Sequence, residues 1–328
     1  MYFKIRKEKK LVSIGLIILG FILLIKGADF LVEGSSNIAK KFHIPEIIIG
    51  LTIVSIGTSM PELFVSTTSS INGYADMSIG NIIGSNLCNL LLILGLSALI
   101  RPIKFQRETR LIEMPMCLAV TIIFMIFCNT AGTIQKSEAI VLIILFVLFI
   151  IYTIVMAKKG EKFDEEDTIV EIKTDSKKIP IAKNIIFIIL GIIGLKIGGD
   201  LTVDNALIIA RQFNVSEKII GLTILAIGTS LPELVTSVTA AIKGNSDIAI
   251  GNIIGSNIFN ILFIIGVSAV ISPLEYNFTY NIQMIILIIA MLVLSLFPVI
   301  PPKNEMSRMN GAIYLILYAI YMGILFVV

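Results

Sequence analysis

The chain carries the same unusual motif twice. Gly57–Glu62 (GTSMPE) lies inside the apolar run 44–71, and Gly228–Glu233 (GTSLPE) lies 171 positions later. About 20 apolar residues are enough for a helix to span a bilayer. A glycine, two hydroxyls, a proline and a carboxylate are costly in such a run unless they serve a purpose. This pair of motifs therefore constrains both the fold and the function.

The composition is that of a helical membrane protein. Of the 328 residues, 56% are hydrophobic and 15% are charged, whereas soluble domains have about 25% charged residues. The apolar runs do not alternate with polar residues, as the strands of a membrane barrel would. We predict an all-α polytopic membrane protein with ten transmembrane helices. The predicted spans are 11–35, 44–71, 77–99, 110–129, 136–157, 181–210, 217–242, 247–271, 279–299 and 309–328.

The two halves of the chain are repeats. The polar connection 158–180 separates a first five-helix repeat, 1–157, from a second, 181–328. Gly50–Glu62 matches Gly221–Glu233 at 10 of 13 positions. Ile79–Asn89 matches Ile250–Asn260 at 9 of 11 positions. Because five is an odd number, the second repeat must enter the membrane upside down. Inverted-repeat transporters bind their substrates at the repeat interface, near the bilayer midplane.

Basic residues indicate the orientation. Most Lys and Arg residues outside the N-terminal tail fall in the connections after predicted spans 1, 3, 5, 7 and 9. The positive-inside rule places these connections in the cytoplasm. We therefore expect a cell-membrane protein with the 158–180 loop inside and both termini outside. The basic N-terminal tail argues the other way, and with the apolar stretch after it the tail could pass for a signal peptide. We interpret this region as a retained first helix.

The repeated motif should interrupt its helix. Pro61 has no backbone N–H to donate, and its ring disfavours helical geometry at Met60. We predict that predicted spans 2 and 7 are broken, with the first break between Gly57 and Pro61. Unpaired carbonyls in a membrane are tolerated where they line a cavity or meet a ligand. Thr58, Ser59 and Glu62 would add side-chain oxygens there.

The donors in these motifs suit a hard cation. Carboxylates, hydroxyls and carbonyls without His or Cys favour Ca²⁺ or Na⁺ over zinc or copper. A lone carboxylate at mid-bilayer costs at least about 2.5–3.5 kcal/mol. One divalent cation between Glu62 and Glu233 would cancel both charges, and so would two or more monovalent cations. That equivalence is a physical basis for ion exchange.

A second motif, Gly80–Asn89, returns as Gly251–Asn260. Within each copy, three polar residues are spaced by four and share one helix face. Each stripe could supply neutral oxygens beside the broken helix of its half, or it could serve only as contacts between helices. The stripes are Asn81, Ser85 and Asn89 in the first copy, and Asn252, Ser256 and Asn260 in the second.

With two GTS-x-PE and two GN-x-x-GSN stretches, the chain resembles the sodium/calcium exchanger family of the cation/Ca²⁺ antiporters, of the compact prokaryotic type. The likeness extends over nearly the whole chain. It implies that predicted spans 2, 3, 7 and 8 form the ion site, and that spans 1 and 6 slide across the core. The implied metal ligands are Glu62, Glu233, Thr58, Thr229, Ser59, Ser230, Ser85, Ser256, Asn89, Asn260 and the carbonyls of Ser55 and Ala226.

One position departs from that pattern. Some relatives carry Asp where this chain has Asn260, so the Na⁺ stoichiometry and the involvement of K⁺ or H⁺ stay open. The Ca²⁺ site is not removed, because both Glu residues remain.

We expect a secondary antiporter that exports Ca²⁺ in exchange for Na⁺. The alternatives are a Ca²⁺/H⁺ or K⁺-dependent Na⁺/Ca²⁺ antiporter and a passive cation channel. We expect no enzyme activity, no cofactor and no nucleic-acid partner. The expected partners are Ca²⁺, Na⁺ and the lipid bilayer, with the chain acting as a monomer. The acidic cluster 164–167 fits a solvated linker better than a Ca²⁺ sensor.

Overall fold

The computed structural model describes residues 2–160, 180–213, 226–301 and 303–327. Within these residues the fold is helical, with four two-residue strands. The first half contains α1 (Tyr2–Lys41), α2 (Glu46–Thr58), α3 (Met60–Ile71), α4 (Ala75–Ile100), α5 (Thr109–Ala131) and α6 (Lys136–Gly160). The second half contains α7 (Ile181–Gln212), α8 (Ala226–Thr229), α9 (Leu231–Lys243), α10 (Ser246–Ile271), α11 (Asn281–Leu296) and α12 (Arg308–Val327).

The helices are those of a multi-pass membrane protein. Among the described residues, seven helices are long and apolar enough to cross a membrane, and the bent pair α2–α3 gives an eighth span. Ten spans were predicted. Of the other two, 217–242 begins in residues outside the described part, and 309–328 corresponds to α12. The ten-span topology therefore stays a prediction.

Several predicted boundaries need correction. The first span was predicted as 11–35, but α1 runs from Tyr2 to Lys41. Polar residues do not by themselves end a helix, and here the chain turns at His43, which adopts a φ of 54° two residues before Pro45. At the other end of the first half, α6 continues to Gly160, so the first three residues of the predicted linker 158–180 are helical. The acidic cluster 164–167 lies outside the described residues.

Burial divides the helices into a centre and a periphery. In the most apolar stretches of α4 and α10, 78% and 83% of the residues are buried, against 28% in both α1 and α7. The isoleucines of the repeated GN-x-x-GSN segments, such as Ile82 and Ile253, are fully buried. The peripheral helices expose apolar side chains, as expected of surfaces that face lipid. The second motif thus lies in the middle of the protein.

Glycines join α1 and α7 along an antiparallel seam. A Cβ atom on Gly20 would lie 2.8 Å from the carbonyl oxygen of Gly198, and one on Gly34 would lie 2.8 Å from that of Asn184. Residue numbers rise along one helix as they fall along the other, so the two helices run in opposite directions. At these positions any side chain would push the backbones apart.

Two short antiparallel ribbons mark opposite ends of the bundle. β1 (Ile103–Lys104) pairs with β4 (Glu305–Met306), and β2 (Thr133–Ile134) pairs with β3 (Leu274–Glu275). The connections that follow α4 and α11 therefore share one face, here called the β1–β4 face. Those that follow α5 and α10 share the other, the β2–β3 face. This grouping agrees with the alternation of connections predicted from the sequence.

Candidate cation site

Each repeated GTS-x-PE motif breaks its helix at the serine. Ser59 separates α2 from α3 with φ −83° and ψ 11°, and Ser230 separates α8 from α9 with φ −88° and ψ 9°. The bend between α2 and α3 is 49°. Pro61 and Pro232, near the start of the following helices, have no N–H for the carbonyl group four residues earlier. The break predicted between Gly57 and Pro61 is confirmed.

The breaks bring the two glutamates to one buried region. Glu62 and Glu233 are both 0% exposed. Ser230 Oγ donates a hydrogen bond to Glu62 Oε1 at 3.1 Å, and Ser59 Oγ donates to Glu233 Oε1 at 2.6 Å. Each carboxylate is thus bonded to the broken helix of the opposite half. Ser85 Oγ, on α4, also donates to Glu62 Oε1, at 3.4 Å.

The second oxygen of each carboxylate has no protein partner. Glu62 Oε2 and Glu233 Oε2 are buried and accept no hydrogen bond. An uncompensated buried charge costs several kcal/mol, and breaking a buried pair costs about 3–5 kcal/mol. Two ionised carboxylates in one interior region are stable only when positive charge lies nearby. A cation bound between the halves would supply it.

The two threonines bond to asparagines of the opposite half. Thr58 Oγ1 lies 3.1 Å from Asn252 Oδ1, and Thr229 Oγ1 lies 3.4 Å from Asn81 Oδ1. Both asparagines lie on the polar stripes predicted from the sequence. Their amide nitrogens donate to serines of their own half, which fixes the orientation of the side chains: Asn81 donates to Ser66 and Asn252 to Ser237.

Four asparagines link α4 to α10 at the centre. Asn89 Nδ2 donates to Asn257 Oδ1 at 3.2 Å, and Asn260 Nδ2 donates to Asn86 Oδ1 at 2.9 Å. The amides of Asn86 and Asn257 each donate to the other's backbone carbonyl, at 3.3 and 3.4 Å. The side-chain oxygens of Asn89 and Asn260 are buried without a partner. They add two neutral acceptors to the same interior.

The remaining candidates lie around the first break. Ser256 Oγ is 3.0 Å from Ser59 Oγ and 3.5 Å from the carbonyl oxygen of Ser55. The Ser55 hydroxyl donates within its own helix, to the Leu51 carbonyl at 2.8 Å. Ala226 is the first described residue of α8, and its carbonyl contribution stays a prediction.

Sequence reasoning missed Asn86 and Asn257. They fall outside the stripes spaced by four, and the sequence alone does not show which residues of α4 face α10. Both copies of the motif carry asparagine at this position, but most of the neighbouring positions are also identical, so the repeat alone does not single these two residues out. Asn89 and Asn260 lie in π-helical turns, Cys88–Ile93 and Asn260–Ile265, which often occur at functional sites.

The donor set consists of oxygen atoms. Within the described ranges, no three His, Cys, Asp or Glu side chains come together. Two carboxylates with neutral hydroxyl and amide oxygens suit Na⁺ and Ca²⁺, whose ligands are oxygens, and give no soft donors for zinc or copper.

Comparison with known proteins identifies the family. The family described as Sodium/calcium exchanger protein matches residues 12–155 and 183–327. The chain belongs to this family. The resemblance inferred from the two motifs is thereby confirmed, and the matched ranges cover both halves of the exchanger.

Individual relatives cover nearly the whole exchanger. The inner membrane protein YrbG of Escherichia coli is 37% identical over 290 residues, which are 85% of this chain and 87% of the relative. The sodium/calcium exchanger MaX1 of Methanosarcina acetivorans is 33% identical, covering 95% of this chain and 97% of the relative. A solved structure of the sodium-calcium exchanger NCX_Mj is 35% identical, with a TM-score of 0.80, and covers 95% of this chain and 98% of that one.

Proposed function

We propose that this protein exchanges Na⁺ for Ca²⁺ across the cell membrane by alternating access and normally exports Ca²⁺. The observation that carries the proposal is the crossed pair of buried glutamates. Glu62 and Glu233 each bond to the opposite half through one oxygen and leave the other oxygen free. Such a site transports an ion and performs no covalent chemistry, so neither an enzyme activity nor a cofactor is part of the proposal.

Charge balance explains why one ion replaces the other. A Ca²⁺ ion cancels both carboxylate charges, and so do two Na⁺ ions. The empty site leaves two charges in the interior, which is unfavourable. Movement of the site between the two sides is therefore easier when it is loaded, which couples one flux to the other. If more than two Na⁺ ions move per Ca²⁺, each net charge contributes about 2.3 kcal/mol per 100 mV.

The named relatives support this choice of ions. MaX1 is named a sodium/calcium exchanger, and the NCX_Mj structure is described as one of a sodium-calcium exchanger soaked with Na⁺ and Ca²⁺. By analogy, both ions would be cargo here.

We assign the ligands as predicted from the sequence. Glu62 and Glu233 bind both ions, and Thr58 and Thr229 add oxygens beside them. Ser59, Ser230, Ser85 and Ser256 complete the Na⁺ sites with the carbonyls of Ser55 and Ala226. The unpartnered Asn89 and Asn260 oxygens support a place for both residues in the site.

The proposed architecture has ten transmembrane helices in two inverted repeats, 1–157 and 181–328. Three features support it: α1 and its counterpart α7 run antiparallel, the contacts of the site cross between halves in matched pairs, and the ribbons separate the connections into two faces. The alternation of basic connections supports a cytoplasmic β1–β4 face, a cytoplasmic linker and both termini outside. We propose that the chain works as a monomer.

Reconstituted vesicles test the function. Vesicles loaded with Na⁺ and diluted into Na⁺-free buffer with labelled Ca²⁺ should accumulate Ca²⁺, and external Na⁺ should release it. A pH gradient in place of the Na⁺ gradient tests Ca²⁺/H⁺ exchange, and added K⁺ tests potassium dependence. Ca²⁺ entry at the same rate without any Na⁺ gradient would contradict the proposal and favour a channel.

A further inference from the structure

A chain of hydrogen-bonded side chains reaches Thr58 from the opposite half of the protein. Ser237 Oγ accepts a hydrogen bond from Asn252 Nδ2 at 2.9 Å, and Asn252 Oδ1 accepts one from Thr58 Oγ1 at 3.1 Å. All three residues are fully buried. The bond to the serine holds the amide of Asn252 with its oxygen towards the threonine.

The repeat builds the same chain for Thr229. Asn81 Nδ2 donates to Ser66 Oγ at 3.1 Å, and Thr229 Oγ1 donates to Asn81 Oδ1 at 3.4 Å. Ser66 comes one helical turn after Glu62, so both side chains lie on the same face of α3. Of the four residues 64–67, only the serine is identical to its counterpart in 235–238. A serine retained between these changed neighbours supports a role that both halves share.

The two asparagines in these chains differ from the last asparagine of each polar stripe. The side-chain oxygens of Asn89 and Asn260 are buried without a partner, whereas Asn81 and Asn252 use both ends of their amides. The sequence left open whether the stripes bind cations or only join helices. The bonds of Asn81 and Asn252 indicate another role, because each connects a serine to a threonine of the site.

A threonine hydroxyl binds a cation through its oxygen lone pairs, so its hydrogen must point to another acceptor. Two acceptors lie within reach of Thr58 Oγ1: Asn252 Oδ1 at 3.1 Å and the carbonyl oxygen of Ser55 at 3.3 Å. The Ser55 carbonyl is itself one of the ligands assigned above. A hydrogen donated to Asn252 leaves both the threonine oxygen and this carbonyl free for the ion.

We propose that the serines of the two chains are positioning residues for cation binding. Ser237 acts through Asn252 and turns the hydroxyl hydrogen of Thr58 away from the transported ion. Ser66 acts in the same way on Thr229. The inference rests on the proposed exchange of Na⁺ and Ca²⁺, and it gives a role in that exchange to two serines that do not themselves bind the ion.

A double-mutant cycle tests the proposal, with Ca²⁺ binding to the purified full chain measured by calorimetry. S237A removes the bond that holds the Asn252 amide and should weaken Ca²⁺ binding about fivefold, the equivalent of one hydrogen bond. In the T58V background, S237A should change Ca²⁺ binding by less than about twofold, since no hydroxyl remains to be turned. In the T58S background, which keeps the hydroxyl, S237A should have its full effect.

The unmatched pair is the control. S237A and T229V should have additive effects, because Ser237 is not in the chain that reaches Thr229. The pair S66A and T229V gives a second cycle, which tests the proposal independently if a variant of the first cycle does not fold.

One result would overturn the proposal. A serine that only joined α9 to α10 would give equal losses on S237A in the native, T58V and T58S chains. Such a result with Na⁺-sensitive Ca²⁺ binding in the native chain would refute the positioning role alone. Native Ca²⁺ binding that does not respond to Na⁺ would instead refute the proposed exchange.

Discussion

The centre of the protein follows the repeat closely, whereas its β1–β4 and β2–β3 faces do not. In the centre, the Ser59–Glu233 contact corresponds to Ser230–Glu62 under the 171-residue offset. At the faces, Arg101 and Lys104 on the β1–β4 side correspond to Ser272 and Glu275 on the β2–β3 side. A carrier that alternates must offer the same donors to both sides, so its centre has reason to stay matched. Its two faces meet different compartments, so their sequences are free to diverge.

The largest expected effect tests the matched centre. E62Q and E233Q should each reduce Na⁺-driven Ca²⁺ uptake by roughly a hundredfold or more, because one remaining charge no longer balances Ca²⁺ and disrupted buried pairs cost about 3–5 kcal/mol. Flux in reconstituted vesicles measures the loss. E138Q, the same chemical change at a surface carboxylate in the first turn of α6, is the matched control and should retain uptake. A large loss in one glutamate variant with normal flux in the other would contradict equal roles for the two glutamates.

The asparagine cluster should contribute equally from both halves. N86A and N257A each remove a side-chain acceptor from a buried amide of the other half. An unsatisfied buried donor costs about 1–3 kcal/mol. We expect a similar fall in melting temperature for both variants in detergent. Unequal shifts, or none, would mean that the α4–α10 contact does not depend on these bonds. N129A, which removes an exposed amide pair with Asn281, is a control with a smaller expected shift.

The serines should reveal a limited asymmetry within the centre. The Ser59–Glu233 bond is 2.6 Å long, and the Ser230–Glu62 bond is 3.1 Å long. Glu62 also accepts a bond from Ser85. Hydrogen bonds to charged groups contribute about 1.5–3 kcal/mol. We expect S59A to weaken Ca²⁺ binding about tenfold and S230A less, as measured by calorimetry. The reverse order would contradict the difference in geometry.

The smallest effect concerns an ion pair at one face. Lys243 Nζ lies 2.8 Å from Asp29 Oδ1 and joins α9 to the peripheral α1. At the matching positions Asn72 faces no such partner, and Asp200 pairs with Lys196 of its own helix. Partly exposed pairs contribute at most about 1 kcal/mol. K243N should therefore shift the ratio of apparent Ca²⁺ affinities on the two sides by no more than about fivefold.

N72K offers the matched test of that pair. It places a lysine at the position that corresponds to Lys243, where Asp200 corresponds to Asp29, and should shift the ratio of apparent affinities in the opposite direction. Side-specific Ca²⁺ affinities in oriented vesicles measure both variants. Shifts of the same sign would show that the ion pair does not distinguish the two sides.

Much of the centre could be predicted from the sequence, because each of its parts has a local signature. Pro61 and Glu62 within an apolar run indicated a break with a charge beside it, and the second copy indicated a partner. Asn86 could not be assigned in this way, since its role depends on the rotation of α4 against α10. The end of α1 at Lys41 was also missed, because hydropathy marks where lipid ends and not where a helix ends.

The two faces were the part least predictable from the sequence. Whether Arg101 fills a space depends on the glycine it covers in another connection, 143 positions away by the numbering. No periodicity in either segment records that contact. The repeat nevertheless makes the contrast between the two faces visible, since each face serves as a reference for the other: Arg101 covers Gly244, whereas the matching Gly73 is uncovered.

Competition between the two ions tests the shared carboxylate site most directly. Ca²⁺ binding to the purified protein should weaken steadily as Na⁺ is raised, with a dependence steeper than first order because at least two Na⁺ ions replace one Ca²⁺. The same titration on the E62Q/E233Q variant should show no Na⁺-sensitive Ca²⁺ binding. Native Ca²⁺ affinity that does not change with Na⁺ would contradict a pocket in which the two ions neutralise the same pair of glutamates.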